Sequence, residues 1–485
     1  MKMEFKMNFT IRPRMTVLNR EEIESLYTGA LEVLERIGVR VFHPEAIDLL
    51  REAGASIHPE SLVKIRSTLV EKAIRSVPKR VFIFDREGKP AMELGGGNTG
   101  GLNTYYGTGS DLKNTYDPYT GRLRSTVSQD IANMARVSEA LPNIEFLMSY
   151  GIPSDCPLDR VYRTEFFEMV RNSIKPIVFT SDNGTDSRRI IEMAAVVAGG
   201  MDKLKEKPFV INYSQPTSPL QHSLDAMGKV FACAEAGIPV AYPPGMIPGA
   251  TAPVTMAGAI NQSIAESLSA LVIHQLKREG APIILCGAHG WLDMSSAINV
   301  YAAPGRLMTQ AALAAFYQHF GIPTWGFGGC TDAQIFDQQA GMEFAMLNLW
   351  ASLCGVNLAH DTAYVGSGMV GCLKSLVYND EIIGYVRHIL CRGVIVNQDT
   401  QAMEALDRVG PGGHFMMDDH TLRHFREELW KPFLSNRERY EAWKEKGGKT
   451  IGEKAEEKVK EILTKSISNP LPQAMVDELE KMLDL

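Results

Sequence analysis

From residue 144 to residue 364 the chain repeats one pattern: a short apolar or β-branched run, then a stretch with helical periodicity. The runs begin near Ile144, Pro176, Pro208, Pro239, Pro282, Pro323 and Asn357, at spacings of 32, 32, 31, 43, 41 and 34 residues. Five of them open on proline, which suits strand entry, where the missing N–H breaks no ladder bond. Strands alternating with helices predict a parallel sheet covered on both faces. Seven such units, with an eighth strand supplied by Thr104–Gly107, predict an α/β fold of the closed (β/α)8 TIM-barrel type. The rival, an open dinucleotide-binding sheet, lacks its GxGxxG turn with an acidic residue about 20 positions further on.

The flanks read differently. Residues 1–78 are expected to be a helical lead-in, with Asn19 capping a helix before Glu21 and Glu22 and Gly38 ending it. Residues 79–127 read as a small β excursion together with the first barrel strand, and 128–415 as the main barrel. Residues 416–485 are expected to form charged outer helices or an oligomer contact.

Composition changes this picture little. A net charge of −7 argues against nucleic acid as a partner, which draws a basic face. Seven cysteines without a CxxC pair read as scattered reduced thiols. No secretory signal and no spanning apolar run is found, so a cytoplasmic protein with no membrane partner is expected.

In a barrel, the loops after the strands share one mouth. Those loops collect aromatics, namely Tyr105, Tyr106, Tyr213, Tyr242, Trp291, Trp325, Phe327, Phe336 and Tyr364, but few cations. Between Lys207 and Lys277, for instance, Lys229 is the sole Lys or Arg. Aromatic cages of this kind hold quaternary ammonium groups, at about 0.5 to 2 kcal/mol per ring. Any one of these rings taken singly is more often a packing residue, since such rings dominate cores. Cys286, His289, Cys330, His360 and Asp361 contain the residue types of a zinc site, but Cys286-x-x-His289 alone is weak spacing evidence, so no metal is assigned. Cys330 as a covalent nucleophile lacks an identifiable base.

Three blocks give the chain a relative. They are Gly245–Gly258 followed by Ala265-Glu266; Gly328-Gly-Cys-Thr-Asp332 through Asp337-Gln-Gln-Ala-Gly341-Met-Glu343; and Thr421–Trp430 followed by Arg437, Tyr440 and Trp443. With Leu31–Gly38, they resemble the trimethylamine methyltransferase family over nearly the whole length. The resemblance implies a (β/α)8 barrel that moves a methyl group to a corrinoid held by a separate protein. It also implies that no cofactor is bound tightly by this chain, which has no Asp-x-His-x-x-Gly cobalamin motif. The archaeal trimethylamine enzymes carry pyrrolysine near the end of a barrel strand. This chain uses only the standard twenty residues, and in that it resembles the branch acting on quaternary amines such as glycine betaine, proline betaine, carnitine or γ-butyrobetaine.

The chemistry agrees with that branch. A quaternary ammonium leaves as a neutral amine, so no proton donor is needed, and positioning alone supplies about 7 to 11 kcal/mol. On this reading Tyr105, Tyr106, Tyr213, Tyr242, Trp325 and Tyr364 are cage candidates, with Phe327 and Cys330 beside them. Asp332, Gln334 and His360 are candidates for orienting the substrate, and His289 or Arg306 for meeting a carboxylate. The expected partners are a small quaternary amine, a corrinoid protein and a second copy of the chain. A zinc-dependent methyltransferase and a non-catalytic betaine-binding protein are the rival functions.

Overall fold

Eight short parallel strands, each followed by a helix, form the body of the protein. The computed structural model describes residues 15–96, 103–109, 111–287, 290–392 and 394–484. The strands are β1 (Tyr105–Tyr106), β2 (Leu147–Met148), β3 (Ile177–Phe179), β4 (Val210–Tyr213), β5 (Val240–Ala241), β6 (Ile283–Ile284), β7 (Trp325–Phe327) and β8 (Leu358–His360). The helices between and after them are α1 (Ser128–Ala140), α2 (Val161–Asn172), α3 (Gly184–Ala198), α4 (Leu224–Ala236), α5 (Met256–Lys277), α6 (Pro304–His319), α7 (Gln338–Cys354) and α8 (Leu373–Arg392). β2 to β6 pair in parallel in chain order, and β7, β8 and β1 form a second parallel set. Parallel bridges Gly107–Phe146 and Leu285–Thr324 join the two sets at both edges, so the pairing runs round a ring. Every expected strand is present, and Tyr105–Tyr106 fills the eighth place.

An antiparallel hairpin, Arg80–Phe84 with Pro90–Gly95, stops the end at which the strands begin. Its Val81, Ile83, Met92 and Leu94 share one buried cluster with Phe146, Met148, Val178, Ile211, Ala241, Ile284, Trp325 and Leu358. Alternation along the hairpin puts these four on one face. Backbone bonds pin it to residues ahead of the strands, Phe84 N–H to Pro208 O at 2.9 Å and Gly95 N–H to Asn357 Oδ1 at 3.2 Å.

The N-terminal region holds helices Arg20–Glu32, Pro44–Glu52 and Ser67–Ser76, which pack on α5. Asn19 and Glu22 make the expected reciprocal cap, at 2.9 and 2.7 Å. Leu62–Lys64, expected to be helical, is instead the middle of a small sheet with Val39–Val41 and Ser56–His58. Gln221–His222 from the loop after β4 extends that sheet, a long-range pairing that overrides local helical period. After α8, helices Ile451–Thr464 and Gln473–Leu483 lie on α8 and α1 and on α3 and α2 respectively. Helix Asp419–Glu428 buries none of its residues. No helix among the described residues is long and apolar enough to cross a membrane.

Candidate active site

The strands end on a polar mouth, and β4, β7 and β8 bring three rings together there. The Trp325 and His360 ring centroids are 4.6 Å apart, Tyr213 and Trp325 5.3 Å, and Tyr213 and His360 6.2 Å. Trp325 is fully buried, yet its Nε1 has no hydrogen-bond partner among the described residues. The same holds for the Tyr364 hydroxyl. Buried polar groups are nearly always paired, so two orphans at one mouth mark a place where a ligand or water completes the bonding.

His360 is held at both nitrogens. Nδ1 donates to Gly326 O at 2.7 Å, and Nε2 lies 3.1 Å from Asp361 Oδ1. A carbonyl only accepts, so Nδ1 carries a proton. Burial pushes the imidazole down, and Asp361 opposes it. The other Asp361 oxygen faces Arg306 Nη2 at 3.4 Å.

Arg306, in the first turn of α6, is 2% exposed. Its guanidinium lies 3.5 Å from the Phe327 ring centroid and 4.3 Å from that of Tyr301. Nη1 donates to Tyr301 O at 2.9 Å and to Cys330 Sγ at 3.5 Å, while Nε has no partner among the described residues. A guanidinium sandwiched between rings keeps its charge while losing its water.

The glycine-rich loop after β7 builds this arrangement. Asp332 accepts from the N–H groups of Tyr301 and Ala302 at 2.7 and 2.8 Å, which holds Tyr301 over Arg306. Glu343, one turn into α7, accepts from Thr331 Oγ1 and from Asp332 N–H and so holds Asp332. At Gly329 a Cβ would meet Asn379 Oδ1 at 1.7 Å, so no larger residue fits that turn. Gly109 is tight in the same way, because a Cβ there would lie 2.5 Å from the Asp361 N. This contact locks the loop after β1 to the loop after β8.

Two further acids, not among the residues expected from the sequence, meet at Thr180. Asp111, in the loop after β1, and Glu165, on α2, both lie against Thr180 Oγ1, at 3.1 and 3.4 Å. Burial pushes Asp111 up to about 7, against Thr180 and Lys229, which pull it down. Burial, and then the charge of Asp111, push Glu165 well up. Burial and then Asp361 raise the Tyr213 and Tyr364 phenols, and Asp111 adds to both, which places all of these groups in one field.

The predicted residues divide. Tyr213, Trp325, Phe327, Cys330, His360, Tyr364 and Arg306 meet at the mouth, and Asp332 stands just behind them. Tyr105 turns to the opposite end, where its hydroxyl accepts from Glu93 N–H at 3.1 Å in the hairpin. Tyr106 and Tyr242 face the outer helices, the Tyr106 hydroxyl donating to Asn348 O at 2.6 Å and that of Tyr242 lying 2.9 Å from His222 Nδ1. These three leave the cage because neighbouring strand positions point to opposite faces or to another depth of the barrel. The Gln334 side chain is exposed at the rim. His289 lies outside the described residues. Tyr301, Asp111 and Glu165 join the site from loops and a helix whose local pattern carried no signal for it, while Asp361, weighed from the sequence only as a zinc-type residue, joins it as the partner of Arg306 and His360. Burial pushes the thiols of Cys286 and Cys330 up to about 12, so both are protonated at neutral pH. Among the described residues no three His, Cys, Asp or Glu side chains are gathered as metal ligands.

A (β/α)8 barrel with its polar groups concentrated at the strand ends is the architecture of a barrel enzyme. The family model described as trimethylamine methyltransferase (MTTB) matches residues 2–484, and the chain belongs to that family of methyltransferases. Among curated proteins it is 30% identical to trimethylamine methyltransferase MttB of Desulfitobacterium hafniense, covering 96% of this chain and 92% of that protein. It is 26% identical to glycine betaine methyltransferase, also of Desulfitobacterium hafniense, covering 97% and 96%. Among solved structures, the monomethylamine methyltransferase of Methanosarcina barkeri matches with a TM-score of 0.55 at 14% identity, over 99% of this chain and 89% of that one, a likeness of fold.

Proposed function

We propose that the mouth takes a quaternary ammonium compound bearing a carboxylate, glycine betaine first, and that one N-methyl group passes to the Co(I) of a corrinoid on a separate protein. Proline betaine, carnitine and γ-butyrobetaine would undergo the same chemistry. The observation that carries this reading is the ring wall Trp325–Tyr213–His360 standing beside Arg306, whose Nε–H has no partner among the described residues. Rings suit the methylated cation, and a desolvated guanidinium suits the carboxylate. The name of one relative, glycine betaine methyltransferase, points the same way.

The corrinoid supplies a strongly nucleophilic Co(I). The electron pair of the broken C–N bond stays on nitrogen, so the product amine leaves neutral and no proton is consumed. The chain's own part is to orient the methyl group and strip it of water, for which alignment is worth about 7 to 11 kcal/mol. His360 is tied to the barrel by Nδ1 on Gly326 O, with Nε2 beside Asp361, and serves as a wall of the mouth while the corrinoid is brought in by a partner over the strand ends. Incubation with glycine betaine and a reduced corrinoid protein is expected to yield dimethylglycine and methylated corrinoid. If neither forms, the reading fails.

The proposal extends to self-assembly. Met416 and Met417 are 77% and 78% exposed just ahead of helix Asp419–Glu428, an apolar surface that a second copy of the chain would cover. A monomeric mass in solution would remove this part.

A further inference from the structure

Thr180 has one hydroxyl hydrogen, yet two carboxyl groups lie within bonding distance of its oxygen. It can donate to only one of them. The second contact is a hydrogen bond only if that carboxyl is protonated and donates to Oγ1; two carboxylates would leave one oxygen facing a lone pair. The geometry therefore calls for one proton held between Asp111 and Glu165. Their setting says which acid keeps it. Glu165 is 1% exposed on α2, while Asp111 is half-buried nearer the opening, its backbone anchored by N–H to Ser149 O at 3.0 Å. Asp111 adopts φ of +61°, the left-handed region that aspartate tolerates better than most residues, and so stands at a tight turn of the loop.

The remaining charges nearby are mostly spoken for. Asp186 faces Arg163 at 3.4 Å, and Asp361 is engaged by Arg306 and His360. Lys229 donates to Ser181 O at 2.8 Å and lies in the field of Asp111, Asp182, Asp225 and Asp186. Tyr162, Cys156, Tyr213 and Tyr364 are further titratable groups in the field of the acids. With the proton in place, Asp111, Glu165 and Lys229 sum to zero charge. With the proton gone they carry one negative charge, which equals the single positive charge of an ammonium ligand. The buried Tyr364 hydroxyl, without a partner among the described residues and in the field of both Asp361 and Asp111, marks the space between this pair and the rings as the side left open for a ligand.

We propose that Asp111 and Glu165 share one proton across Thr180, and that the pair serves as the counter-charge of the bound ammonium group, releasing that proton to solvent as the cation enters. The step balances: Glu165 changes from acid to carboxylate, one proton goes to buffer, and no bond in the ligand changes. Asp111 and Glu165 are thus specificity residues for a permanent cation. The assignment rests on the mouth being the ammonium site.

Infrared difference spectroscopy of the full chain at neutral pH tests it. The free protein is expected to show a protonated-carboxyl carbonyl band that Glu165→Gln removes and that saturating glycine betaine or tetramethylammonium bleaches. Calorimetry in two buffers of different ionisation enthalpy should show on the order of one proton released per cation bound. Linkage then requires affinity to rise up to about tenfold per pH unit, a slope absent in Glu165→Gln. Asp111→Asn should lower cation affinity about tenfold and abolish the release, which keeps the test alive if the Glu165 variant fails to fold. The proposal falls if the band is missing from the free protein, or if neither cation bleaches it. A released proton with no dimethylglycine formed would overturn the methyl-transfer reading and leave the pair standing.

Discussion

At the lower end of the barrel an apolar hairpin fills the space between the strand starts, while at the upper end rings, acids and one arginine crowd together with several hydrogen-bonding atoms left over. The lower end is finished by the chain itself. Val81, Ile83, Met92 and Leu94 need only to be apolar and of suitable volume, because hydrophobic burial has no direction. The upper end is left incomplete in a directed way. Trp325 Nε1, Tyr364 Oη and Arg306 Nε are buried donors whose partners are not supplied by the described residues. One end of the fold thus stores stability, and the other holds polar groups that a ligand can satisfy.

Substitutions can separate the two. The largest effect is expected at the stopper, where Ile83→Ala should cost about 2 to 5 kcal/mol of unfolding free energy. Denaturant titration reads that loss, while the KM of the folded enzyme should not move; a changed KM would mean the two ends are coupled. At the mouth, removing both members of the buried pair with Arg306→Met/Asp361→Asn avoids stranding one charge in the core. It should weaken glycine betaine by about 1.5 to 3 kcal/mol, on the order of 10- to 150-fold, and barely alter tetramethylammonium. Equal losses for both ligands would show that Arg306 does not meet the carboxylate.

A third test uses pH. Burial pushes His222, behind β5 and bonded to Tyr242 and Ser269, down to about 4. The unfolded chain protonates this group first, near pH 6.5. Its contribution is therefore complete above 6.5 and is lost as pH falls towards about 4, by about 1.4 kcal/mol per pH unit. Compared with the parent, a His222→Gln variant should show a stability curve flatter by that slope between pH 6.5 and 4; parallel curves would contradict the assignment. The smallest effect is expected from Tyr213→Leu, where loss of one ring should cost about 0.5 to 2 kcal/mol of betaine affinity, most of it retained in Tyr213→Phe. If Tyr213→Phe is as weak as Tyr213→Leu, the hydroxyl rather than the ring face holds the ligand.

The amino-acid sequence by itself determined the eight-unit barrel, because apolar runs 31 to 43 residues apart and their proline entries are local patterns that survive without any partner. It also marked the loop from Gly328 to Glu343, whose glycines and acids are conspicuous in one dimension. Tertiary structure decided which rings face the mouth. Tyr105 and Tyr106 are neighbours in sequence, yet one turns to the hairpin and the other to α7, since side chains alternate along a strand. It alone decided the acid pair as well. Asp111 and Glu165 stand 54 residues apart and meet only because the loop after β1 and helix α2 converge on Thr180. A shared proton belongs to that meeting, and no periodicity along the chain encodes it.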